Sequence, residues 1–209
     1  MKNLLGILLF VGCVFSQDVL AQFEGVISFN REKIETTKYK FTIKGDKIRV
    51  DDYGKDGKLM GVELIDVKEG KVIAMSPERK LYYDATTKAP APVKPEITKT
   101  TNKKTVAGYK CTEWIAKMPL EDTEISYWVT DKSAGFTFFD DMLITLNRKD
   151  KLAKYFMAIP ENDDVFPIEG IEKSSDGTVR VRLVATKVEA KAVDDNLFVI
   201  PADYQEFKR

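Results

Sequence analysis

The feature that most restricts the fold is a period-two alternation of apolar residues, interrupted at short intervals by turns that contain glycine. Apolar residues at every second position line one face of a β-strand, and glycine supplies the positive φ of a tight turn. Two turns of the first third are each flanked by alternating apolar pairs: Phe41/Ile43 and Ile48/Val50 around Gly45-Asp46, and Val62/Leu64 and Val72/Ala74 around Glu69-Gly70. With outer strands at 23–32 and 80–84, this pattern predicts an antiparallel meander.

The same alternation returns in the second half of the chain. It predicts strands at 106–117, 124–130, 168–173, 178–188 and 197–201, with a hairpin turn at Ser175-Asp176-Gly177. Residues 85–103 contain three prolines among threonines and lysines, and they predict an extended, mobile loop. Such a loop can separate two domains. A single sheet that resumes after it is the favoured interpretation, because the first meander alone leaves one face uncovered.

Helical periodicity occurs only at 138–157. Phe139, Met142, Leu143 and Leu146 follow i, i+3, i+4, i+7 spacing, and the pattern continues past a break near Asn147. The predicted fold class is therefore mostly β with minor α: a curved antiparallel sheet or half-barrel of about ten strands with one or two helices packed on its concave face. We expect a single domain at 22–209.

Residues 1–21 resemble a secretory signal peptide. Lys2 supplies a positive charge, 4–15 is an uncharged apolar run, and Val19-Leu20-Ala21 forms a cleavage site before Gln22. The run is shorter than the roughly 20 residues that a membrane-spanning helix needs, and no later stretch is long or apolar enough. We expect an exported protein, periplasmic or extracellular, with no transmembrane segment in the mature chain. In the alternative, Phe10-Val11-Gly12-Cys13 is a lipobox and Cys13 carries a lipid anchor.

Charge and composition exclude several function classes. The 33 basic and 33 acidic residues cancel, which argues against nucleic acid as a partner. The chain contains no histidine, so catalytic mechanisms that need an imidazole are excluded. Cleavage after residue 21 leaves Cys111 as the one cysteine, and its apolar neighbours indicate a buried, inert thiol.

No recognised motif indicates an enzyme or a cofactor. Glycine-rich phosphate loops, dinucleotide fingerprints and nucleophile elbows are absent from the sequence. The stretch from Asp52 to Glu63 resembles a calcium loop, but Gly54 offers no side-chain oxygen at the third position, so a hairpin turn is favoured and no metal is expected. A carboxylate-based hydrolase would need two acidic side chains to converge. The candidates are Asp51-Asp52, Asp140-Asp141, Asp163-Asp164 and Asp194-Asp195.

A concentration of aromatic side chains beside the predicted helix is the most informative functional feature. In one interpretation these side chains only form the core under the helix. In the other they line a cavity for an apolar ligand, as concave apolar sites commonly do. The candidate ligand-binding residues are Trp114, Tyr127, Trp128, Phe136, Phe138, Phe139 and Met142.

Four short motifs occur in an order that resembles a known family. They are Phe23-Glu24-Gly25-Val26-Ile27, Thr105-Val106-Ala107-Gly108-Tyr109-Lys110-Cys111, Tyr127-Trp128-Val129-Thr130 and Leu197-Phe198-Val199-Ile200-Pro201-Ala202-Asp203-Tyr204. This succession resembles an uncharacterised family of exported envelope proteins, the domain of unknown function number forty-four twelve. That family is similar in pattern to the lipoprotein-carrier and lipoprotein-acceptor folds of the Gram-negative envelope. The resemblance implies an unclosed barrel whose concave apolar face is covered by helices and holds acyl chains, and it transfers no catalytic residue.

Three hypotheses about function remain open at this stage. The first is a non-enzymatic, exported protein that binds an apolar small molecule or a lipid-modified protein in the groove between sheet and helix. The second is an envelope interaction or structural module that contacts a partner through an outer strand face or the proline segment. The third is the carboxylate-based hydrolase.

The N-terminus of the mature protein tests the export prediction. Mass spectrometry of the protein purified from its native cells should give a chain that begins at Gln22, because Val19-Leu20-Ala21 fits a signal-peptidase site. A chain that begins at Cys13 and carries added acyl mass would instead establish the lipid anchor.

Overall fold

A computed structural model describes residues 22–88 and 91–208. The predicted signal peptide, and with it Cys13, lies outside the described residues. Within them the chain forms one open, curled sheet of twelve strands and two short α-helices. The prediction of a mostly β fold with a curved antiparallel sheet is confirmed.

The first half of the sheet is the predicted meander. Its six strands pair in sequence order, each antiparallel to the next. Positive φ angles at Gly45 and Gly70 turn the two hairpins that the sequence indicates. The strands are β1 (Gly25–Glu32), β2 (Thr36–Lys44), β3 (Lys47–Tyr53), β4 (Leu59–Asp66), β5 (Lys71–Ser76) and β6 (Leu81–Asp84).

A second meander continues the same sheet. Its five strands are β7 (Glu96–Val106), β8 (Tyr109–Met118), β9 (Thr123–Thr130), β10 (Pro167–Lys173) and β11 (Val179–Ala190). β11 pairs antiparallel with β1, from Gly25 opposite Ala190 to Glu32 opposite Arg182, and this pairing joins the two meanders. A two-residue strand, β12 (Gln205–Glu206), pairs parallel with β6 at the far edge.

The loop prediction for 85–103 is wrong beyond residue 95. β7 begins at Glu96 and forms an edge of the sheet, paired only with β8. Its threonines are β-branched and favour extended backbone, and its lysines are tolerated because an edge strand is exposed on one side. The polar composition that predicted a loop is therefore also the composition of a solvated edge strand.

The predicted helical segment forms two helices, as its periodicity indicates. They are α1 (Phe138–Leu146) and α2 (Lys151–Phe156). The break is at Asn147, whose φ of 48° is left-handed and ends α1. Asp150 then starts α2, because its side chain accepts a hydrogen bond from the Ala153 backbone N–H at 3.1 Å. No helix of the described residues is long and apolar enough to span a membrane.

The hydrophobic core lies between the helices and one face of the sheet, here called the inner face. Ile27, Ile43, Ile48 and Ile125 point to this side and are completely buried. Each alternates along its strand with residues of the opposite, outer face. The alternation that predicts the strands therefore also selects the side that the helices cover.

A smaller apolar cluster lies on the outer face. Val62, Leu64 and Met75 are buried there, and Ile200 and Tyr204 of the C-terminal segment pack against them. The prediction of a closing strand at 197–201 is wrong: a 3-10 turn at Asp195–Phe198 opens this segment, which then covers the outer cluster. Ile200 of this segment packs on the outer cluster, and residues 197–201 do not pair with any strand of the sheet.

Gly25 is the residue of β1 that admits least change. Its φ is +153°, and a Cβ built there would lie 2.1 Å from the Glu189 backbone oxygen of β11. Side chains rarely adopt that angle, and the contact is a severe clash with backbone. The glycine of the motif Phe23-Glu24-Gly25 is thus required by the pairing of β1 with β11.

Replacing Gly25 by alanine should lower the free energy of unfolding by about 2 kcal/mol or more, through strain and loss of pairing at the start of β1. Urea unfolding followed by circular dichroism measures this. Gly61→Ala is the matched control, because a Cβ there meets only the Met75 oxygen at 4.0 Å. That variant should stay within about 0.5 kcal/mol of the wild type, and equal losses in both would contradict the argument.

Candidate functional site

A cavity of about 110 Å³ lies between the inner face of the sheet and the two helices. We call it the groove. The sheet contributes Phe29, Phe41, Tyr127, Gly170 and Leu183 to its wall, from strands of both meanders. The helices contribute Phe139, Met142, Leu143 and Leu146 from α1 and Leu152 and Ala153 from α2.

The floor of the groove is buried, and its rim is partly exposed. Phe29, Tyr127 and Met142 are almost completely buried, while Phe41 and Leu183 are half-buried. Leu152 packs closely on Gly170, because a Cβ on this glycine would lie 3.0 Å from Leu152 Cδ2. The lining is mainly apolar, so the space favours hydrocarbon over water.

The Tyr127 hydroxyl ties the sheet to the helix layer. It donates a hydrogen bond to the Leu152 backbone oxygen at 2.8 Å, at the start of α2. Burial raises the pKa of this phenol well above its ordinary value, so it remains a neutral donor. Tyr127 thus presents an apolar ring to the groove, while its hydroxyl is already hydrogen-bonded to the Leu152 backbone oxygen.

Three of the seven predicted ligand-binding residues line the groove: Tyr127, Phe139 and Met142. Phe136 and Phe138 do not, because both are buried in an aromatic cluster with Phe23 and Phe166. Phe136 lies 4.9 Å from Phe166 between ring centroids. These two side chains follow the alternative interpretation, in which the aromatic residues form the core.

Trp114 and Trp128 lie away from the groove, for different reasons. Trp114 stacks on Phe156 at a centroid distance of 6.5 Å and lines a separate, open cleft of about 1110 Å³ near β7. Trp128 is next to Tyr127 in β9, so it points to the outer face. There Lys104 Nζ lies 4.1 Å from its ring centroid and also pairs with the buried Glu169.

The groove also uses residues that the sequence interpretation did not select. Phe29, Phe41 and Leu183 lie far from the aromatic segment in the sequence and reach the cavity through the pairing of β1 with β2 and β11. Their period-two positions mark them as inward-facing. What the sequence lacks is the strand order, which decides which inward-facing residues meet.

Charged and polar side chains line one end of the groove: Arg31, Tyr39, Arg148 and Asp150. Arg148 pairs with Glu63 at 2.6 Å. Arg31 donates from Nη1 to the Tyr39 hydroxyl at 2.9 Å. Burial is the largest influence on nearby Asp52 and raises the pKa of its carboxyl, although a hydrogen bond from Tyr39 opposes the shift.

The described residues contain no group of three or more acidic, cysteine or histidine side chains arranged to hold a metal ion. The segment from Asp52 to Glu63 is the predicted hairpin, with Gly54 and Gly57 in its turn. Cys111 is buried, and burial raises the pKa of its thiol, so the reactive thiolate is disfavoured. Its Sγ lies 3.4 Å from the Tyr109 backbone oxygen.

Two of the four acidic pairs meet at the start of α1. The pKa of Asp140 is raised to about 6, mainly by burial and then by the charge of Asp163. The backbone N–H of Asp164 donates to Asp140 and partly offsets the shift. This contact ties the first turn of α1 to the turn before β10, and neither pair lines the groove.

A protein-family model, described as a domain of unknown function (DUF4412), matches residues 23–204. The chain belongs to this family. The resemblance carried by the four sequence motifs is thereby confirmed. A comparison with curated proteins gives no significant match.

Solved structures share the architecture of this DUF4412 domain at low sequence identity. An uncharacterized conserved protein from Thermus thermophilus aligns with a TM-score of 0.59 and 8% identity over 91% of this chain and 93% of that one. MucB in complex with MucA(peri) aligns with a TM-score of 0.51 and 10% identity over 90% of this chain and 57% of that one. The Pseudomonas aeruginosa MucA/MucB complex gives 0.50 and 12%, over 89% and 58%. The chain thus spans somewhat more than half of MucB, and these matches establish the fold alone.

Replacing Asp140 by asparagine should remove a pH-dependent loss of stability. The folded-state pKa of about 6 lies above the ordinary 3.8, so the folded protein binds this proton more tightly than the unfolded chain does. Stability due to this group therefore falls as the pH rises from about 4 to about 6 and stays lower above that, by on the order of 1–2 kcal/mol for a partly exposed group. Urea unfolding should show Asp140→Asn to be more stable than the wild type at pH 7.5 and equal to it at pH 4.

Asp141→Asn is the control, because Asp141 lies in the same helical turn with an exposed side chain. It should keep most of the pH dependence of the wild type, because the charge of Asp141 raises the pKa of Asp140 less than burial and the charge of Asp163 do. A gain in stability for Asp140→Asn that is the same at both pH values would contradict the assignment of the shift to Asp140.

Proposed function

We propose that this DUF4412 domain is an exported, non-enzymatic protein that binds an apolar ligand, or the acyl chain of a lipidated polypeptide, in the groove. The observation that carries this proposal is an apolar cavity enclosed between two different layers of the fold. A core that only stabilises the protein is normally close-packed, with few voids larger than a water molecule. Space kept open beside a partly exposed rim favours a binding role.

The groove in this structure is smaller than the roughly 300–1,000 Å³ of common small-molecule sites. A hydrocarbon chain therefore enters by moving α1 and α2 away from the sheet. Most contacts between these layers are apolar and non-directional, so they re-form around a ligand of similar chemistry. Several polar contacts have to adjust as well. They include the hydrogen bonds from Tyr127 to the Leu152 backbone oxygen at 2.8 Å, from Asn147 to the Thr87 backbone oxygen at 2.7 Å and from Tyr155 to Glu121 at 2.7 Å.

Export rests on the sequence of residues 1–21, with a positive start, an apolar run and a cleavage site. We infer a periplasmic or extracellular location from it. In an aqueous compartment of this kind, an exposed acyl chain is unfavourable by about 0.8 kcal/mol per CH₂. A protein that encloses such a chain is a physically reasonable carrier.

A second function is an interaction with an envelope protein. Two observations favour it: MucB, which shares the fold, has been solved in complex with MucA, and among the described strands β7 has a neighbour on one side only. An unpaired strand edge can accept an extended peptide as an additional strand. Purified protein with an empty groove would favour this function over the first.

Filling the groove tests the first function. Protein purified from its native cells should yield apolar molecules on organic extraction and mass spectrometry, and the extracted protein should bind a fluorescent fatty-acid probe. Gly170→Leu should weaken probe binding at least about tenfold, because the new side chain meets Leu152 and Tyr127, both of which line the cavity, and displaces Leu152 from its present position.

Gly61→Leu is the matched control, a glycine-to-leucine change in a strand whose residue does not line the groove. Both variants are first checked for cooperative thermal unfolding. Probe binding that is equal in the wild type and Gly170→Leu, with no molecule extracted, would contradict binding in the groove.

A further inference from the structure

Arg31 places a positive charge at the end of the apolar wall of the groove. It follows Phe29 by two positions in β1, so both side chains point to the inner face, and both line the cavity. Leu183 lies directly opposite Arg31 in β11 and lines the same space. The half-buried guanidinium is thus at the boundary between hydrocarbon and solvent.

The carboxylates near this end of the groove already have partners. Glu63 pairs with Arg148 at 2.6 Å. Asp150 accepts the backbone N–H of Ala153 at 3.1 Å as the N-cap of α2. Asp52 accepts a hydrogen bond from the hydroxyl of Tyr39, and the charge of Arg31 acts on this carboxyl without direct contact.

Arg31 has no ionic partner in contact with it. Its hydrogen bond goes to the neutral Tyr39 hydroxyl at 2.9 Å, and its Cζ lies 5.8 Å from the centre of the same ring. Among the described residues no carboxylate lies within 4.0 Å of its guanidinium. A guanidinium has five N–H donors in a planar fork that matches a carboxylate, and within the described residues Arg31 donates to one side-chain acceptor, the Tyr39 hydroxyl.

A half-buried cation that lacks a counter-ion in contact loses hydration without full compensation. An anion at this position would restore the balance through charge-assisted hydrogen bonds, which are stronger than neutral ones. Apart from Tyr39, Arg148 and Asp150, the side chains that line the remainder of the cavity are apolar, so an anion bound to Arg31 fits best as the head of a molecule whose tail is apolar. The groove is therefore polar at one end and apolar beyond it, as an amphiphile is.

We propose that the ligand is a single-chain amphiphile whose carboxylate head binds Arg31 and whose hydrocarbon chain lies between Phe29, Tyr127, Met142 and Leu183. This inference rests on the proposed function, since it specifies the ligand of the same groove. Arg31 is then the residue that selects the head group, while the apolar wall selects the tail. Tyr39 positions the guanidinium through its hydroxyl.

Three probes with the same twelve-carbon chain separate the head group from the tail: dodecanoate, dodecanol and dodecylammonium. Binding to the mature protein, after extraction of any bound lipid, is measured below the micelle concentration by displacement of a fluorescent probe. The wild type should bind dodecanoate about tenfold more tightly than dodecanol, with dodecylammonium weakest. Arg31→Gln should weaken dodecanoate binding about tenfold and leave dodecanol binding unchanged.

Arg79→Gln is the matched control, because Arg79 is exposed in the turn before β6, far along the chain from the groove lining. It should bind all three probes as the wild type does. Should Arg31→Gln fail to fold, the order of the three head groups in the wild type decides the question. Arg31→Lys, which keeps the charge and loses the fork, should then give an intermediate preference for dodecanoate.

The outcomes distinguish this inference from the proposed function. Equal binding of dodecanoate and dodecanol, unaffected by Arg31→Gln, would overturn the role of Arg31 and leave the apolar groove standing. Tightest binding of dodecylammonium would overturn it too and assign the head group to Asp52 or Asp150. Absence of binding by all three probes would overturn both proposals.

Discussion

The pairing of β1 with β11 is the interaction on which the rest of the structure depends. It joins two meanders that are each locally connected and would otherwise be two open sheets. Bringing β1 and β11 together closes a loop that contains all the strands between them, at a cost in conformational entropy that grows slowly with loop length. Burial of apolar side chains on the inner face offsets this cost. Phe29 shows how: the centre of its ring lies 4.8 Å from that of Phe41 in β2 and 6.1 Å from that of Phe166, the residue before β10. Because strands of both halves then present one continuous apolar surface, two short helices are enough to cover it.

The two faces of this sheet are stabilised by different means. The inner face is apolar and closed by helices, whereas the outer face combines one small apolar cluster with buried carboxylates held by cations. Asp51 is paired with Lys40 at 2.9 Å and Arg49 at 2.7 Å, and Glu169 with Arg182 at 2.7 Å. Such pairs add little net stability compared with apolar packing. These ion pairs place charged side chains on the outer face, so the strands can be long without exposing apolar surface there.

Local patterns in the sequence predict the elements that depend on turn chemistry and periodicity, but not those that long-range packing decides. The hairpin at Gly45, the helix break at Asn147 and the inward alternation of β9 follow from turn chemistry and periodicity, and all are present. The sequence predicts a loop where β7 lies, because a solvated edge strand has the composition of a loop. It predicts a strand at 197–201, because an apolar run that covers an outer cluster has the same composition as one that joins a ladder. For the site, the aromatic segment identified the helix side of the groove, including Phe139 and Met142. It could not supply Phe29, Arg31 or Leu183, since their place depends on which strand pairs with β1.

The charges of the chain cancel overall, but they are not evenly paired around the groove. With 33 basic and 33 acidic residues, no long-range field selects a partner. Local pairing is nevertheless uneven: near the groove, Glu63 has Arg148 as a counter-ion, while Arg31 has a neutral hydroxyl. In a medium of low polarity, one charge without an ionic partner in contact discriminates between ligands more strongly than many paired charges at the surface do. Phe136 is completely buried beside Phe166, and the groove begins at Phe166 and is bordered by this arginine. Selectivity between ligands therefore depends on the rim of the groove. The arginine at that rim is in contact with no carboxylate of the described residues, so it is available to an anionic head group.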